Sequence, residues 1–184
     1  MVYVMRRAVE TDREAVFRLL SAREQWAQGN DLVVPESLPL DILLAWPGIG
    51  KDTVLMVLTE DDEMLGCVTL TRWLLGWGWT ARERAEPALS VGAMYTCLDQ
   101  QGSGLGRIMT LWLVDYAARC YSSVRWLRCT VPGDRLARHF REGLGWQDVR
   151  VTRDGDGQLH RAFRMQQRPR PLPGLQCLVA GEGP

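Results

Sequence analysis

Six consecutive residues near the middle of the chain, Gln101-Gly102-Ser103-Gly104-Leu105-Gly106, have the types and spacing to hold an anion. An apolar run, Leu89 to Leu98, leads into them. A helical pattern that begins Arg107-Ile108-Met109-Thr110 follows and continues to about Cys120. The first turn of a helix has backbone N–H groups without intrahelical partners, and the helix dipole adds partial positive charge there. Glycines let this backbone curl into a nest and let a phosphate approach without meeting a Cβ. Arg107 can add a full charge. Taken alone such a turn is weak evidence, and two named phosphate motifs do not fit. The P-loop needs Gly-Lys-Ser/Thr, and the only lysine is Lys51. The dinucleotide fingerprint needs G-x-G-x-x-G after the first strand, whereas this is G-x-G-x-G deep in the chain.

The elements that must position this turn follow from pattern. Val2 to Arg7 reads as a first strand. Thr11-Asp12-Arg13-Glu14 has capping-box spacing, and a helix runs from it to about Gln28 with Val16, Leu19, Leu20 and Arg23 at three-four spacing. A short second helix is expected near Leu40 to Trp46, ended by Pro47-Gly48. Thr53 to Thr59 and Met64 to Trp73 read as strands joined by Glu60-Asp61-Asp62-Glu63, an antiparallel hairpin. Leu74 to Pro87 reads as a long connection. Leu89 to Leu98 is the strand that feeds the glycine turn, and Val124 to Val131 is the next. Pro132-Gly133-Asp134 opens another helix, with Asp134 as N-cap and Leu136, Ala137 and Phe140 on its inner face. Asp154-Gly155-Asp156-Gly157 joins two last strands, Trp146 to Arg153 and Gln158 to Gln166. The resulting order, β-α-α-β-β-β-α-β-α-β-β, predicts an α/β class with a mixed, mostly antiparallel sheet and helices on both faces. One domain over residues 1–166 is expected, followed by a proline- and glycine-rich tail over 167–184 that is extended or mobile.

Composition narrows the chemistry. The 184 residues carry no formal net charge, which gives no support to binding nucleic acid by phosphate neutralisation. No apolar run reaches membrane-spanning length, the start lacks a secretion signal, and a cytoplasmic location is expected. The five cysteines (Cys67, Cys97, Cys120, Cys129, Cys177) form no C-x-x-C and there are two histidines, so neither a metal site nor a disulfide framework is expected.

With these elements in order, the chain resembles the GCN5-related N-acetyltransferases over about residues 3–166. That family's first signature is Gln or Arg, two residues, Gly, one residue, Gly or Ala, and here it reads Gln101, Gly104, Gly106. Its second, N-x-x-A-x-x-(L/F)-Y-x-x-x-G-F, falls on Asp134 to Trp146. There Ala137, Phe140 and Gly145 are in register, Asp134 stands for the Asn and Trp146 for the Phe. The resemblance implies acetyl-CoA, or another acyl-CoA, as co-substrate, with no metal. It implies cofactor contacts from Thr96, Cys97 and Leu98 at the strand end, from Gln101, Gly102, Ser103, Gly104, Leu105, Gly106 and Arg107 at the turn, and from Asp134, Arg138 and Arg141 on the later helix. In the family, a bulge splays the fourth strand from the fifth and the pantetheine lies in the cleft.

The resemblance also implies direct attack of a primary amine on the thioester. Backbone N–H groups near the bulge would polarise its carbonyl. The Tyr that many members use as the acid is Arg141 here. Arginine keeps its proton at ordinary pH, so it would steady a thiolate or bind phosphate rather than donate. The fourth strand contains no carboxylate. Glu86 precedes it, and Tyr95, Cys97 and Ser103 are the nearest polar side chains. The catalytic candidates are therefore Tyr95, Glu86 and Arg141, with a packed strand aromatic as the plain alternative for Tyr95. The acceptor is expected to be a small amine (an amino acid derivative, a polyamine or an antibiotic), held by Trp26, Asp31 and Trp77. The resemblance leaves a homodimer open, since many family members pair through their C-terminal strands. The competing reading is a non-catalytic acyl-CoA-binding module, kept open by Arg141.

Overall fold

A computed structural model describes residues 2–30, 52–72, 78–153 and 161–181. The elements are β1 (Tyr3–Arg7), a 3₁₀ turn (Glu10–Asp12), α1 (Arg13–Gly29), β2 (Thr53–Glu60), β3 (Glu63–Thr71), α2 (Ala81–Ala85) and β4 (Ala88–Thr96). There follow α3 (Leu105–Cys120), β5 (Trp126–Pro132), α4 (Asp134–Arg138), a π-helical turn (His139–Gly143), β6 (Gln147–Arg153), β7 (Arg161–Gln167), a 3₁₀ turn (Leu175–Cys177) and β8 (Val179–Gly181). The expected second helix, Asp31, Trp77 and the Asp154–Gly157 turn lie outside the described residues.

The eight strands form one sheet in the order β6-β7-β5-β4-β3-β2-β1-β8. Only β4–β5 and β1–β8 run parallel. The mixed, mostly antiparallel sheet is the one expected from the sequence. Its apolar strands are covered on both faces, which is why β2 reads as a continuous hydrophobic run rather than an alternating one. Met56 and Leu58 face α3, together with Val68, Leu89, Leu127 and the buried Met109, Trp112 and Leu113. Leu55, Val57 and Cys67 face α1, against Val16, Leu19 and Leu20. The β2–β3 turn is a tight one, with Asp61 at φ 48° and Asp62 at φ 65°, the left-handed pair that a two-residue hairpin loop of matching twist requires.

Four local expectations change. The Thr11–Glu14 capping box does not form. Asp12 instead caps the 3₁₀ turn: its carboxylate accepts from the Val9 N–H at 2.8 Å and takes a two-pronged ion pair from Arg6 at 2.6 and 2.8 Å. Asp134 is the first residue of α4 rather than its cap, because Gly133, at φ 74°, makes the entry. Leu136 is 42% exposed, so only Ala137 and Phe140 of the three face inward. Residues 168–181 are not a loose tail. The Arg170 N–H donates to the Val114 carbonyl at 3.3 Å, and the Leu172 N–H donates to the buried Asp115 carboxylate at 2.8 Å. The chain then adds β8 beside β1, with Val179 buried.

The Arg6 guanidinium, helped by the Val9 N–H and opposed by burial, holds the Asp12 carboxyl below its ordinary value of 3.8. A depressed carboxyl stabilises the fold fully above the unfolded-state value and stops doing so as pH falls through the folded one. The expected result is a parent protein that loses stability from about pH 5 down to pH 2. An Asp12→Asn protein is less stable at neutral pH and shows a shallower acid limb. Urea unfolding at stepped pH checks it, and parallel limbs would remove Asp12 from the account.

Candidate cofactor cleft and acceptor face

The glycine turn is built as its composition demands. Gly102 and Gly104 both sit at φ 86°, where an L side chain is strained, and Gly104 caps α3. The turn is closed by Gln101 N–H to Leu98 carbonyl (3.0 Å) and Ser103 N–H to Gln100 carbonyl (3.1 Å), with the Ser103 hydroxyl donating to the same oxygen at 2.6 Å. The first intrahelical bond runs from the Ile108 N–H to the Gly104 carbonyl. The N–H groups of Leu105, Gly106 and Arg107 therefore lie in the unpaired first turn, at the positive end of a helix of 16 residues. Gly106 differs from the other two: its backbone is helical, and a Cβ placed on it would meet nothing within 4 Å. Neither strain nor packing calls for glycine there.

The strand that feeds the turn is bulged. Tyr95 pairs with Cys67 and Gly92 with Thr69, so Ala93 and Met94 together oppose Val68, and Ala93 is at φ 43°. On the other side, β4 and β5 pair only from Ala88–Trp126 to Val91–Cys129. Beyond that point β5 runs on to Pro132 paired with β7 alone, and β4 runs on to Thr96 paired with β3 alone. The two strands thus open a cleft whose β4 wall offers main-chain N–H and C=O groups along its edge, pointing toward the glycine turn. The bulge also resets the side-chain alternation. Leu89 and Val91 face α3, as does Met94, which turns Tyr95 to the α1 face against Val16, Leu19 and Leu20.

Arg23 of α1 fixes the far end of this wall. Its guanidinium donates to the Thr96 carbonyl, to the Thr96 hydroxyl at 2.8 Å and to the Cys97 carbonyl at 3.4 Å, and it lies 5.8 Å from the Trp26 ring.

The sequence matches no protein-family model and no curated protein. The structure does have solved relatives. A GNAT-family acetyltransferase from Streptococcus pneumoniae is 16% identical, with 90% of this chain and 99% of that one aligned and a TM-score of 0.61. The ribosomal-protein alanine N-acetyltransferase of Escherichia coli is 18% identical, at 94% and 97% coverage and a TM-score of 0.63. A chimera of the Vibrio cholerae spermidine N-acetyltransferase is 13% identical, at 92% and 97% coverage and a TM-score of 0.64. The chain has the GCN5-related N-acetyltransferase fold.

Within that fold the candidate residues are distributed unevenly. Thr96, Cys97, Leu98, Gln101, Gly102, Ser103, Gly104, Leu105, Gly106 and Arg107 lie along the open β4 edge and the turn, although the Thr96 and Cys97 carbonyls are already engaged by Arg23. Asp134 and Arg138 are exposed on α4. Arg141 is held against β6: its Nε and Nη2 both reach the Asp148 carboxylate, at 2.8 and 2.7 Å. Glu86 is ion-paired with Arg128, whose side chain is 1% exposed. Trp26 is half-buried beside Arg23.

The sequence did not single out a second group of residues, gathered around Arg128. Arg128 donates to the Glu83 carbonyl as well as to Glu86, and its guanidinium carbon stands 5.2 Å from the ring of the buried Trp79. Arg150 of β6 pairs with Glu83 at 2.6 Å. Burial penalises the charged form of Glu83, but hydrogen bonds from the Thr80 N–H and hydroxyl, with Arg150 and Arg128 nearby, hold its carboxyl below the ordinary range. An arginine in the middle of a buried strand, with glutamates at 83 and 86, was the available signal. Burial pushes the Cys67 thiol up to about 12 and raises that of Cys129 as well, so neither is a nucleophile. Among the described residues no group of three or more His, Cys, Asp or Glu could hold a metal ion, and no helix is long and apolar enough to cross a membrane.

Proposed function

We propose that the protein is an acyl-CoA-dependent N-acetyltransferase that acts on a primary amine of a small molecule. The observation that carries this reading is Gly106: a helical glycine facing open space, in a turn of unpaired N–H groups, at the end of a cleft with an open strand edge. The turn N–H groups and Arg107 would hold the pyrophosphate, and the β4 edge would pair with the pantetheine amides. Bound acetyl-CoA would supply the activated thioester. Main-chain N–H groups at the Ala93–Met94 bulge would stabilise negative charge on its carbonyl oxygen, and the cleft would bring donor and amine together on the α1 face. Tyr95 follows the bulge and lies on that face, so its phenol is the side chain best placed to handle a proton.

A second reading, a binding module without turnover, is favoured by the engagement of Arg141 and Glu86 in ion pairs outside the cleft. Thiol release from acetyl-CoA across a panel of small amines, with calorimetry in parallel, separates the two. The enzyme reading expects turnover, and a fall of about a hundredfold or more in kcat for Tyr95→Phe at unchanged acetyl-CoA affinity. Binding without turnover on any amine would support the module. Absence of binding would sink both.

A further inference from the structure

A recess of about 390 Å³ opens on the acceptor face where β4 and β5 begin, walled by Arg82, Glu83 and Glu86 ahead of β4, Trp126 and Arg128 on β5, and Arg150 on β6. Arg128 is paired across the sheet with Ser90, three residues before the Ala93 bulge, which puts the recess about 10 Å along the strands from the mouth of the cleft. Its volume suits a small ligand group.

The unspent hydrogen-bonding capacity of this recess is mainly donors. The Glu83 carboxylate already accepts from the Thr80 N–H, the Thr80 hydroxyl and Arg150. Glu86 is neutralised by Arg128. Arg128 is 1% exposed, yet its Nε has no acceptor among the described residues. Arg82 is exposed and lines the recess without an ion-pair partner among those residues. Three guanidiniums thus face two carboxylates, an excess of one positive charge. A buried donor with no acceptor is costly to leave so, and planar guanidiniums match a planar two-oxygen anion. The single excess charge matches a monoanion rather than a phosphate dianion.

We infer that the recess binds a carboxylate of the amine acceptor, so that the preferred substrates are amino acids or amino-acid derivatives whose reacting amine stands several bonds from a free acid group, as the distance between recess and cleft requires. The inference rests on the acyltransferase reading above for its substrate, but the recess can be tested by itself.

The test uses lysine, 6-aminohexanoic acid and 8-aminooctanoic acid, each as free acid and as carboxamide. In thiol-release assays the acids are expected to exceed the amides in kcat/KM by at least about tenfold, and Arg82→Ala is expected to cut that ratio about fivefold or more. Arg82 is exposed in a short helix, so its loss leaves the core alone, unlike loss of Arg128. Melting temperatures with the same six compounds, taken without acetyl-CoA, are the second readout: acids should raise the parent's value, amides should not, and Arg82→Ala should shrink the shift. Equal use of acids and amides, or an acid-to-amide ratio unchanged by Arg82→Ala, overturns the inference. Where no compound is turned over, absence of a thermal shift with the acids overturns it. Failure of acetyl-CoA to bind in calorimetry strikes the acyltransferase reading instead, and the thermal shifts still decide the recess.

Discussion

A Gly106→Leu protein is expected to melt no lower than the parent and to bind acetyl-CoA at least about a hundredfold more weakly, a loss of about 2.7 kcal/mol. The two effects separate because of where Gly106 sits. Its backbone is helical and nothing lies within 4 Å of a Cβ built on it, so the first carbon of the new side chain enters open space. Leucine is also the better helix former, by up to about 1 kcal/mol in a helix interior and less in the first turn. The same side chain would fill the space over the N–H groups of the first turn of α3, where the proposed pyrophosphate lies. Gly104→Leu is the contrasting variant. At φ 86° it should lose stability as well as affinity, because the backbone itself resists a Cβ. Calorimetric titration and thermal melts on the two proteins check the pair. A Gly106→Leu protein that binds normally would leave the turn with only a structural role.

The largest expected loss of stability comes from Arg128→Ala, about 3–5 kcal/mol in urea unfolding. The side chain is 1% exposed and ties together the Glu86 carboxylate, the Glu83 carbonyl and the Trp79 ring. Truncating it leaves a cavity and a partly buried carboxylate without its cation. Replacing both ionic partners, Arg128→Met with Glu86→Gln, should recover more than half of the loss, since an apolar chain of similar length fills the space and no charge is stranded. The double-mutant cycle measures this directly. If the two changes combine additively to within about 0.5 kcal/mol, the pairing contributes nothing and cavity formation is the whole effect.

What could be read in advance was whatever is local in the chain. The Asp61-Asp62 hairpin, the two-sided apolar strands and the glycine turn each announce themselves within a few residues, and their order was enough to predict the sheet. Non-local ion pairs were invisible. Nothing near Glu86 in sequence says that Arg128 will pair with it, and nothing near Arg141 says that Asp148 will, so the ion pairs that two of three catalytic candidates carry could not be foreseen. Helix α2 was overlooked although Thr80 and Glu83 form a true capping box, because five residues give too little periodicity to see. At the start of α1 the opposite error occurred: Thr11 and Glu14 have the spacing, but Arg6, arriving from β1, fixes Asp12 as the capping carboxylate. Strand β8, Val179-Ala180-Gly181, is too short to alternate, and only its partner β1 makes it a strand.

That pairing of β1 with β8 bears on how the protein is made. Strand β1 keeps one edge open until residues 179–181 have been synthesised, so the sheet cannot be closed on that side before then. An unpaired strand edge is a template for the wrong neighbour, another nascent chain included. The buried Asp115 carboxylate, which receives the Leu172 N–H, offers the arriving segment a fixed anchor on α3 from which β8 is led back to β1. The order of synthesis and the order of the sheet are thus opposed at this edge, and the anchor on α3 limits how far β8 must search.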